Sequence, residues 1–205
     1  KKGSKVRDKK TKAVYQVTGV GSNKAVEYIR GTQKDRKNAA IPATVRLQGN
    51  TFKVTSIGKK AFKGNKKLKN VSIGGNVKKV GKSAFDGCKK LKKVTLGKNV
   101  AAIEANAFRG CSDLTMVTIP SKVKKIGAKA FYQCRNLRFI MVKTNKLTPK
   151  SIGKNAFSGG YRLPRVKTDK KIWRKYSRIF LKSGISRKAL FIIDPVKLKF
   201  GNKTY

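Results

Sequence analysis

The chain repeats itself every 23 residues. From Val80 to Ala102 it reads VGKSAFDGCKKLKKVTLGKNVAA, and from Ile103 it reads IEANAFRGCSDLTMVTIPSKVKK. Ala84-Phe85 returns as Ala107-Phe108, Gly87-Cys88 as Gly110-Cys111, Leu91 as Leu114, Val94 as Val117 and Leu96 as Ile119. The preceding copy begins at Ile57 and carries Ala61-Phe62, Leu68, Val71 and Ile73; the following one begins at Ile126 and carries Ala130-Phe131, Leu137, Ile140 and Val142. A fifth copy, displaced by three extra residues, begins at Ile152 with Ala156-Phe157, Leu163 and Val166. Periods of this size specify a solenoid or an array.

Within one period, Val94 and Leu96 alternate with Lys93, Thr95 and Gly97, which predicts a short strand with one apolar face. Ala84, Phe85, Cys88 and Leu91 lie on one helical stripe, which predicts a helical turn before each strand, near 59–65, 82–88, 105–111, 128–134 and 154–158. One such unit cannot bury its apolar side alone. Stacked units bury a continuous core, and their strands pair in a parallel sheet. The expected fold class is α/β. Phe62, Phe85, Phe108, Phe131 and Phe157 then stack as a buried spine.

The pattern IG-x-x-AF-x-GC-x-x-L-x-x-V-x-I-P resembles the BspA-like (Treponema pallidum-type) branch of the leucine-rich repeat family, over about residues 41 to 168. The resemblance implies a right-handed solenoid of about five 23-residue coils, with a cap at each end. It implies a secreted or surface-attached bacterial protein, and no catalytic residues.

The chain taken in order gives five segments. Residues 1–12 are basic, poor in apolar side chains and expected to fray. Residues 13–56 form an N-terminal β cap: AVYQVT (13–18) and AVEYIR (25–30) alternate around turn-forming residues and read as a hairpin. A second hairpin, with a turn at Gly49-Asn50, leads into the first repeat. Ile41-Pro42 between them aligns with Ile119-Pro120, the strand end of a repeat. The repeats occupy 57–168, with a bulged loop at 143–151 that turns Leu147 inward. Residues 169–195 form a helix-and-strand cap, with Asp169 as N-cap, an apolar stripe of Ile172, Tyr176, Ile179 and Phe180, and Ser183-Gly184 as the stop. Trp173 borders that stripe, as a seal on the last coil or partly exposed. Ala189–Ile193 reads as a strand and Asp194-Pro195 as a turn. Residues 196–205 are a basic tail.

Charge bounds the partners. Lys and Arg number 53 against 8 acidic residues, a formal net charge of +45. Such a chain attracts polyanions in a salt-dependent way and repels itself. The K-K pairs (Lys59-Lys60, Lys66-Lys67, Lys78-Lys79, Lys89-Lys90, Lys92-Lys93, Lys124-Lys125) also read as solvated positions that keep a long sheet soluble. No window has the apolar length of a membrane span. The chain begins Lys1-Lys2, without Met and without a signal peptide, and reads as a mature piece of a longer precursor or an excised fragment.

The chemistry of catalysis is sparse. There is no His, which removes most triads, most metal sites and the commonest general base. Asp86, Glu104 and Asp113 fall at variable repeat positions and read as surface residues on or beside the convex side. Gly74-Gly75 reads as a tight turn between coils. Cys88, Cys111 and Cys134 recur at one repeat position and read as a ladder of buried thiols; disulfides and zinc are the weaker readings, with an odd count, no His and no C-x-x-C. No cofactor, metal or enzymatic activity is expected.

Two function classes survive. One is a protein-interaction or adhesion module binding through its concave sheet, on the strand residues that alternate with the core: Met116, Thr118, Phe139, Met141, Lys143, Arg165 and Lys167. Its partner would be a protein or an acidic glycoconjugate, and the chain a monomer. Cover by the tail or by the 143–151 loop would instead make Phe139 and Met141 a satellite core. The other class is a polyanion-binding wall or surface module for teichoic acid-like polymers or acidic glycans; a rigid spacer in a larger surface protein is the bland third. Aromatic residues do not interleave with the basic runs, so specific nucleic-acid recognition is not expected, only nonspecific attraction.

Overall fold

The computed structural model describes residues 1–31, 37–160, 164–168, 173–185, 191–193, 199–200 and 203–204. Six strands precede the first full repeat: β1 (Lys5–Arg7), β2 (Val14–Gly19), β3 (Ala25–Arg30), β4 (Asn38–Ile41), β5 (Thr44–Leu47) and β6 (Asn50–Ile57). The β2–β3 hairpin forms as its alternation predicts, closed by a short 3-10 turn at Gly21–Asn23. The expected fraying of residues 1–12 is overturned. β1 pairs antiparallel with β2, and the Gly3 N–H donates to Val17 C=O at 2.8 Å. A three-residue strand carries one apolar side chain, Val6, so there is no period to read. The β5–β6 hairpin turns at Gln48-Gly49, one residue earlier than expected, with φ of +48° and +78°. Two positive-φ residues make the type I′ turn that matches strand twist.

The repeats contribute β7 (Asn70–Ile73), β8 (Lys79–Val80), β9 (Lys93–Thr95), β10 (Ala102–Ile103), β11 (Met116–Ile119), β12 (Lys125–Ile126), β13 (Phe139–Val142) and β14 (Arg165–Thr168). Then come helix α1 (Trp173–Lys182), β15 (Phe191–Ile193), and a small antiparallel pair, β16 (Lys199–Phe200) with β17 (Lys203–Thr204). The long strands make a parallel sheet in the order β15-β14-β13-β11-β9-β7-β4, so the strands of successive repeats are neighbours. β4 joins through Ile41↔Ile73, as the alignment of Ile41-Pro42 with the repeat predicts. The short strands β8, β10 and β12 extend a second sheet from β6, which the sequence reading did not contain; two-residue strands leave no alternation to detect.

Between the two sheets the expected helical turns are absent. Ser83 and Gly87 have φ of +55° and +73°, and the same two positions are left-handed in the other four repeats: Lys60 and Gly64, Asn106 and Gly110, Lys129 and Gln133, Asn155 and Gly159. An α-helix keeps every N–H for its own carbonyls. Here the N–H groups of Ser83, Phe85 and Gly87 leave the coil for the carbonyls of Ala105, Ala107 and Arg109, at 3.0, 2.7 and 2.7 Å. Those of Ala84, Asp86 and Cys88 close tight turns within it, onto Gly81, Ser83 and Phe85. The stripe of Ala84, Phe85, Cys88 and Leu91 is buried as predicted, but by stacked turns. Close stacking also explains Gly74, whose φ is ordinary: an added Cβ would lie 2.4 Å from the backbone nitrogen of Ala43.

The phenylalanine spine forms, buried from Phe85 to Phe157, with Phe62 at its N-terminal end only half-buried. Phe62, Phe85, Phe108, Phe131 and Phe157 stack with centroids 5.0–5.2 Å apart and planes within 9°. Tyr28 continues the stack beyond Phe62 at 5.4 Å, and Phe180 of α1 meets Phe157 at 5.2 Å with a 45° tilt. Beside the spine, the thiols of Cys88, Cys111 and Cys134 donate to the carbonyls of Phe62, Phe85 and Phe108 at 3.1–3.2 Å. All three are buried and reduced. Coil one has Asn65 at this position, where its Oδ1 accepts from the Lys67 and Leu68 N–H groups instead.

Tyr176, Ile179 and Phe180 are buried, and Gly184 ends the helix region with φ +95°. Asp169, Ile172, Ala189 and the Asp194-Pro195 turn lie outside the described residues, as do Leu163 and the side chain of Trp173. Leu147 is buried as expected, its N–H donating to the Tyr176 hydroxyl at 3.1 Å. No helix among the described residues is long and apolar enough to cross a membrane.

Two outcomes follow from this packing. Phe108→Ala removes a ring stacked on both faces, and is expected to cost about 3–5 kcal/mol; a denaturant midpoint near that of the unaltered chain would remove Phe108 from the core. Burial pushes the Cys88 and Cys134 thiols up to about 12 and the Cys111 thiol well above its ordinary range. Native protein at pH 8 is therefore expected to react with a thiol reagent far more slowly than denatured protein, measured as the rate of thiol titration.

Candidate interaction surface

The seven-stranded sheet turns Val71, Val94, Val117, Ile140 and Val166 inward, all buried. Strand alternation then sends the intervening side chains to the opposite face in two rows. One row runs Asn38, Asn70, Lys93, Met116, Phe139, Arg165, each paired in register with the next. In the other, Ala40 pairs with Ser72 and Ser72 with Thr95, while Thr118, Met141 and Lys167 pair in succession. Parallel neighbours lie about 4.8 Å apart, so side chains in a row touch across strands.

Met116, Thr118, Phe139, Met141, Arg165 and Lys167 are thereby brought into one block, two rows wide and three strands long. Lys143 sits just past the end of β13, its N–H donating to Ile119 C=O at 3.0 Å. Met116 and Phe139 are 44% and 41% exposed, which makes them two of the three large apolar side chains that stand open to solvent among the described residues. Met141, Thr118 and Lys167 are half-buried by their row neighbours, while Lys143 and Arg165 are exposed. The Thr118 hydroxyl lies 3.8 Å from the Met141 sulfur, and the Arg165 guanidinium stands 5.9 Å from the centre of the Phe139 ring. That distance allows a cation–π contact, worth about 0.5–1 kcal/mol at an exposed site. The loop at 143–151 is fixed elsewhere, by Leu147 on Tyr176 and by the Thr144 hydroxyl on Val123 C=O at 2.6 Å. It does not make Phe139 a satellite core.

Sequence reading missed that β4 carries the face one strand further, adding Asn38 and Ala40. Asn70 donates its side-chain amide to Asn38 Oδ1 at 2.7 Å, closing the polar end of the first row. The signal was present in the alignment of Ile41 with Ile73.

The reading of Asp86 as a variable surface residue is corrected. It is buried, and its carboxylate accepts from Arg109 at 2.8 and 3.3 Å and lies 3.6 Å from Lys63 Nζ. Lys63, Asp86 and Arg109 occupy the same position in three successive repeats, so variation in sequence became a file of alternating charge in space. The Asp86 hydrogen bond raises the Arg109 guanidinium above its usual range. Glu104 pairs with Lys125 at 3.3 Å, and Glu27 accepts from the Ser56 hydroxyl at 2.9 Å. Among the described residues no three His, Cys, Asp or Glu side chains group as metal ligands would.

The repeat sequence matches the family model described as BspA type leucine rich repeat region, in six copies over residues 47–163. Among solved structures, the chain is similar to a leucine rich repeat protein of T. pallidum: 26% identical, covering 80% of this chain and 71% of that one, with a TM-score of 0.62. A leucine-rich repeat protein from Bacteroides capillosus is 27% identical, covering 68% of this chain and 98% of that one, with a TM-score of 0.60. A leucine rich cell surface protein from Faecalibacterium prausnitzii is 21% identical, covering 80% and 54%, at a TM-score of 0.50, a likeness that shows the fold alone. No curated protein matches the chain. The six-copy match spans more than half of the sequence, and the chain belongs to the BspA-type leucine-rich repeat family.

Proposed function

We propose that this chain is a non-catalytic protein-interaction or adhesion module of a secreted or surface-attached bacterial protein. It binds through the concave face of its parallel sheet, on Met116, Thr118, Phe139, Met141, Lys143, Arg165 and Lys167. The single observation that carries this reading is the exposure of Met116 and Phe139 side by side in one strand row. A chain with a net charge of +45 has ample polar residues for its surface, and large apolar side chains set together in the open favour a contact. The basic rim of Lys143, Arg165 and Lys167 suits an acidic partner, a protein or a glycoconjugate, with the apolar centre as anchor.

The same reading takes the molecule as a right-handed, monomeric solenoid of five coils over 57–168. A β cap at 13–56, to which the basic segment 1–12 adds β1, and a helix-and-strand cap at 169–195 close it, with a basic tail at 196–205. Tyr28 on Phe62 and Phe180 on Phe157 support the cap roles, since each covers one end of the spine. Family membership supports the non-enzymatic, surface-exposed assignment.

The test uses secreted and surface material to identify a partner, then compares affinities. The double variant Phe139→Ser, Met141→Ser is expected to keep its melting temperature within a few degrees and to lose partner binding. The contact should persist at moderate salt, since its centre is apolar. A partner that holds the double variant with unchanged affinity would retire the sheet face as the binding surface.

A further inference from the structure

The rim where the chain enters the parallel sheet is unevenly charged. In coil one the segment before the strand reads K-K-L-K-N from Lys66 to Asn70, and in coil two K-K-L-K-K from Lys89 to Lys93. The equivalent stretch of coil three, Ser112 to Met116, is S-D-L-T-M, without a cation. Backbone bonds fix these segments side by side. Lys69 N–H donates to Lys37 C=O at 2.6 Å, and Lys92 N–H to Lys69 C=O at 2.8 Å. Lys37, Lys69 and Lys92 therefore form one file across three strands, while Lys66 and Lys89 hold one repeat position and Lys93 stands beside Asn70 on the sheet face. Leu68 and Leu91 are buried beneath, so the segments cannot lift away without opening the core.

The result is a ledge about 10 Å across the strands and about 13 Å along the chain, set by strand spacing and residue rise. Lys37, Lys66, Lys89, Lys90, Lys92 and Lys93 are exposed and Lys69 half-buried. Among the described residues none of these seven takes part in an ion pair, unlike Lys63, Arg109 and Lys125. The ledge is about as wide as the screening length at physiological salt, so its ammonium groups feel one another. A ligand with one charge relieves one of them. A chain of linked anions relieves several at once and releases their counterions.

We propose that this ledge is a binding site for a linear phosphodiester polymer with a flexible polyol backbone. The ledge is all lysine, a compact point charge on a mobile stem that can follow successive phosphates along a flexible chain, without the planar fork of Arg that holds a phosphate or a carboxylate in one bidentate geometry. It carries no aromatic side chain on which a sugar ring or a nucleobase would stack. Through Lys93, which pairs with Met116, it adjoins the Met116–Phe139 face, but its other six lysines lie on the rim, and it stands whether or not that face binds a protein.

The test measures binding of a synthetic glycerol-phosphate oligomer over a series of salt concentrations, with polygalacturonate and an oligothymidylate of matched charge as comparators. The ledge variant is Lys66→Gln, Lys69→Gln, Lys89→Gln, Lys92→Gln. The control, with the same loss of charge at exposed positions beyond the ledge, is Lys78→Gln, Lys98→Gln, Lys124→Gln, Lys146→Gln. Melting temperatures establish that both fold, and the pair Lys89→Glu, Lys90→Glu replaces the ledge variant if it does not. The ledge variant is expected to lose about tenfold or more in affinity and about three units of log–log salt slope, at roughly 0.7 per phosphate contact. The control should stay within about twofold, since its charges lie away from the contact. Equal losses in the two variants would overturn the site and leave only diffuse attraction. Equal affinity of the unaltered chain for polygalacturonate or oligothymidylate, lost equally in the ledge variant, would overturn the polyol-phosphate assignment. Loss of protein-partner binding in Phe139→Ser, Met141→Ser with the oligomer still bound would leave the ledge intact.

Discussion

Backbone N–H groups that leave one coil for the carbonyls of the next hold this molecule together. Ser83, Phe85 and Gly87 donate to coil three, just as Asn106, Phe108 and Gly110 donate to Ala128, Ala130 and Tyr132 of coil four. A coil in isolation has no partner for these groups, and an unpaired buried amide costs about 1–3 kcal/mol. The ladder forces two left-handed residues into every turn, which is why Gly or Asn recurs there. It also fixes the rise. At one coil per strand spacing, rings at an equivalent position must stack, and thiols beside them reach the carbonyl of the coil before.

A ladder with a direction ends differently at its two ends. At the C-terminal end the Phe157 N–H finds Ser183 C=O, just after α1, and Phe180 and Tyr176 close the apolar end of the stack. At the N-terminal end, Tyr28 covers Phe62 and β3 pairs with β6, so the second sheet begins in the hairpin that precedes the repeats. Both ends work through an aromatic ring that continues the spine on a different backbone.

A small, constant rise also turns composition into pattern. Any residue type repeated at one position becomes a file about 4.8 Å in spacing. Lysines so repeated make a ledge; Lys63, Asp86 and Arg109 make an alternating file in which one carboxylate serves two cations. Large apolar residues repeated on the outward face make the Met116–Phe139 block. With few acidic side chains available, their placement matters. Asp86, Glu104 and Glu27 are each bound to a neighbour, and most of the positive charge is left to the exterior.

The spacing of Phe85, Phe108 and Phe131 determined the repeat, the parallel order of the strands, the aromatic spine and the burial of the thiols, because each depends only on equivalent residues meeting at a fixed rise. The alternation around Val117 and Ile140 likewise placed Met116, Phe139, Met141 and Arg165 on one outward face. Sequence could not tell a helical turn from a stacked one. Ala84, Phe85, Cys88 and Leu91 fall on one stripe in either case, and only the destination of the Phe85 N–H, onto Ala107, distinguishes them. It could not show the second sheet, whose strands at Lys79–Val80 and Ala102–Ile103 are too short for a period. Nor could it show that Asp86 is buried between Lys63 and Arg109, or that Phe139 stands open beside Arg165. Those depend on which coil lies next to which, and on where the loop at 143–151 is tied, distances that exist only once the coils are stacked.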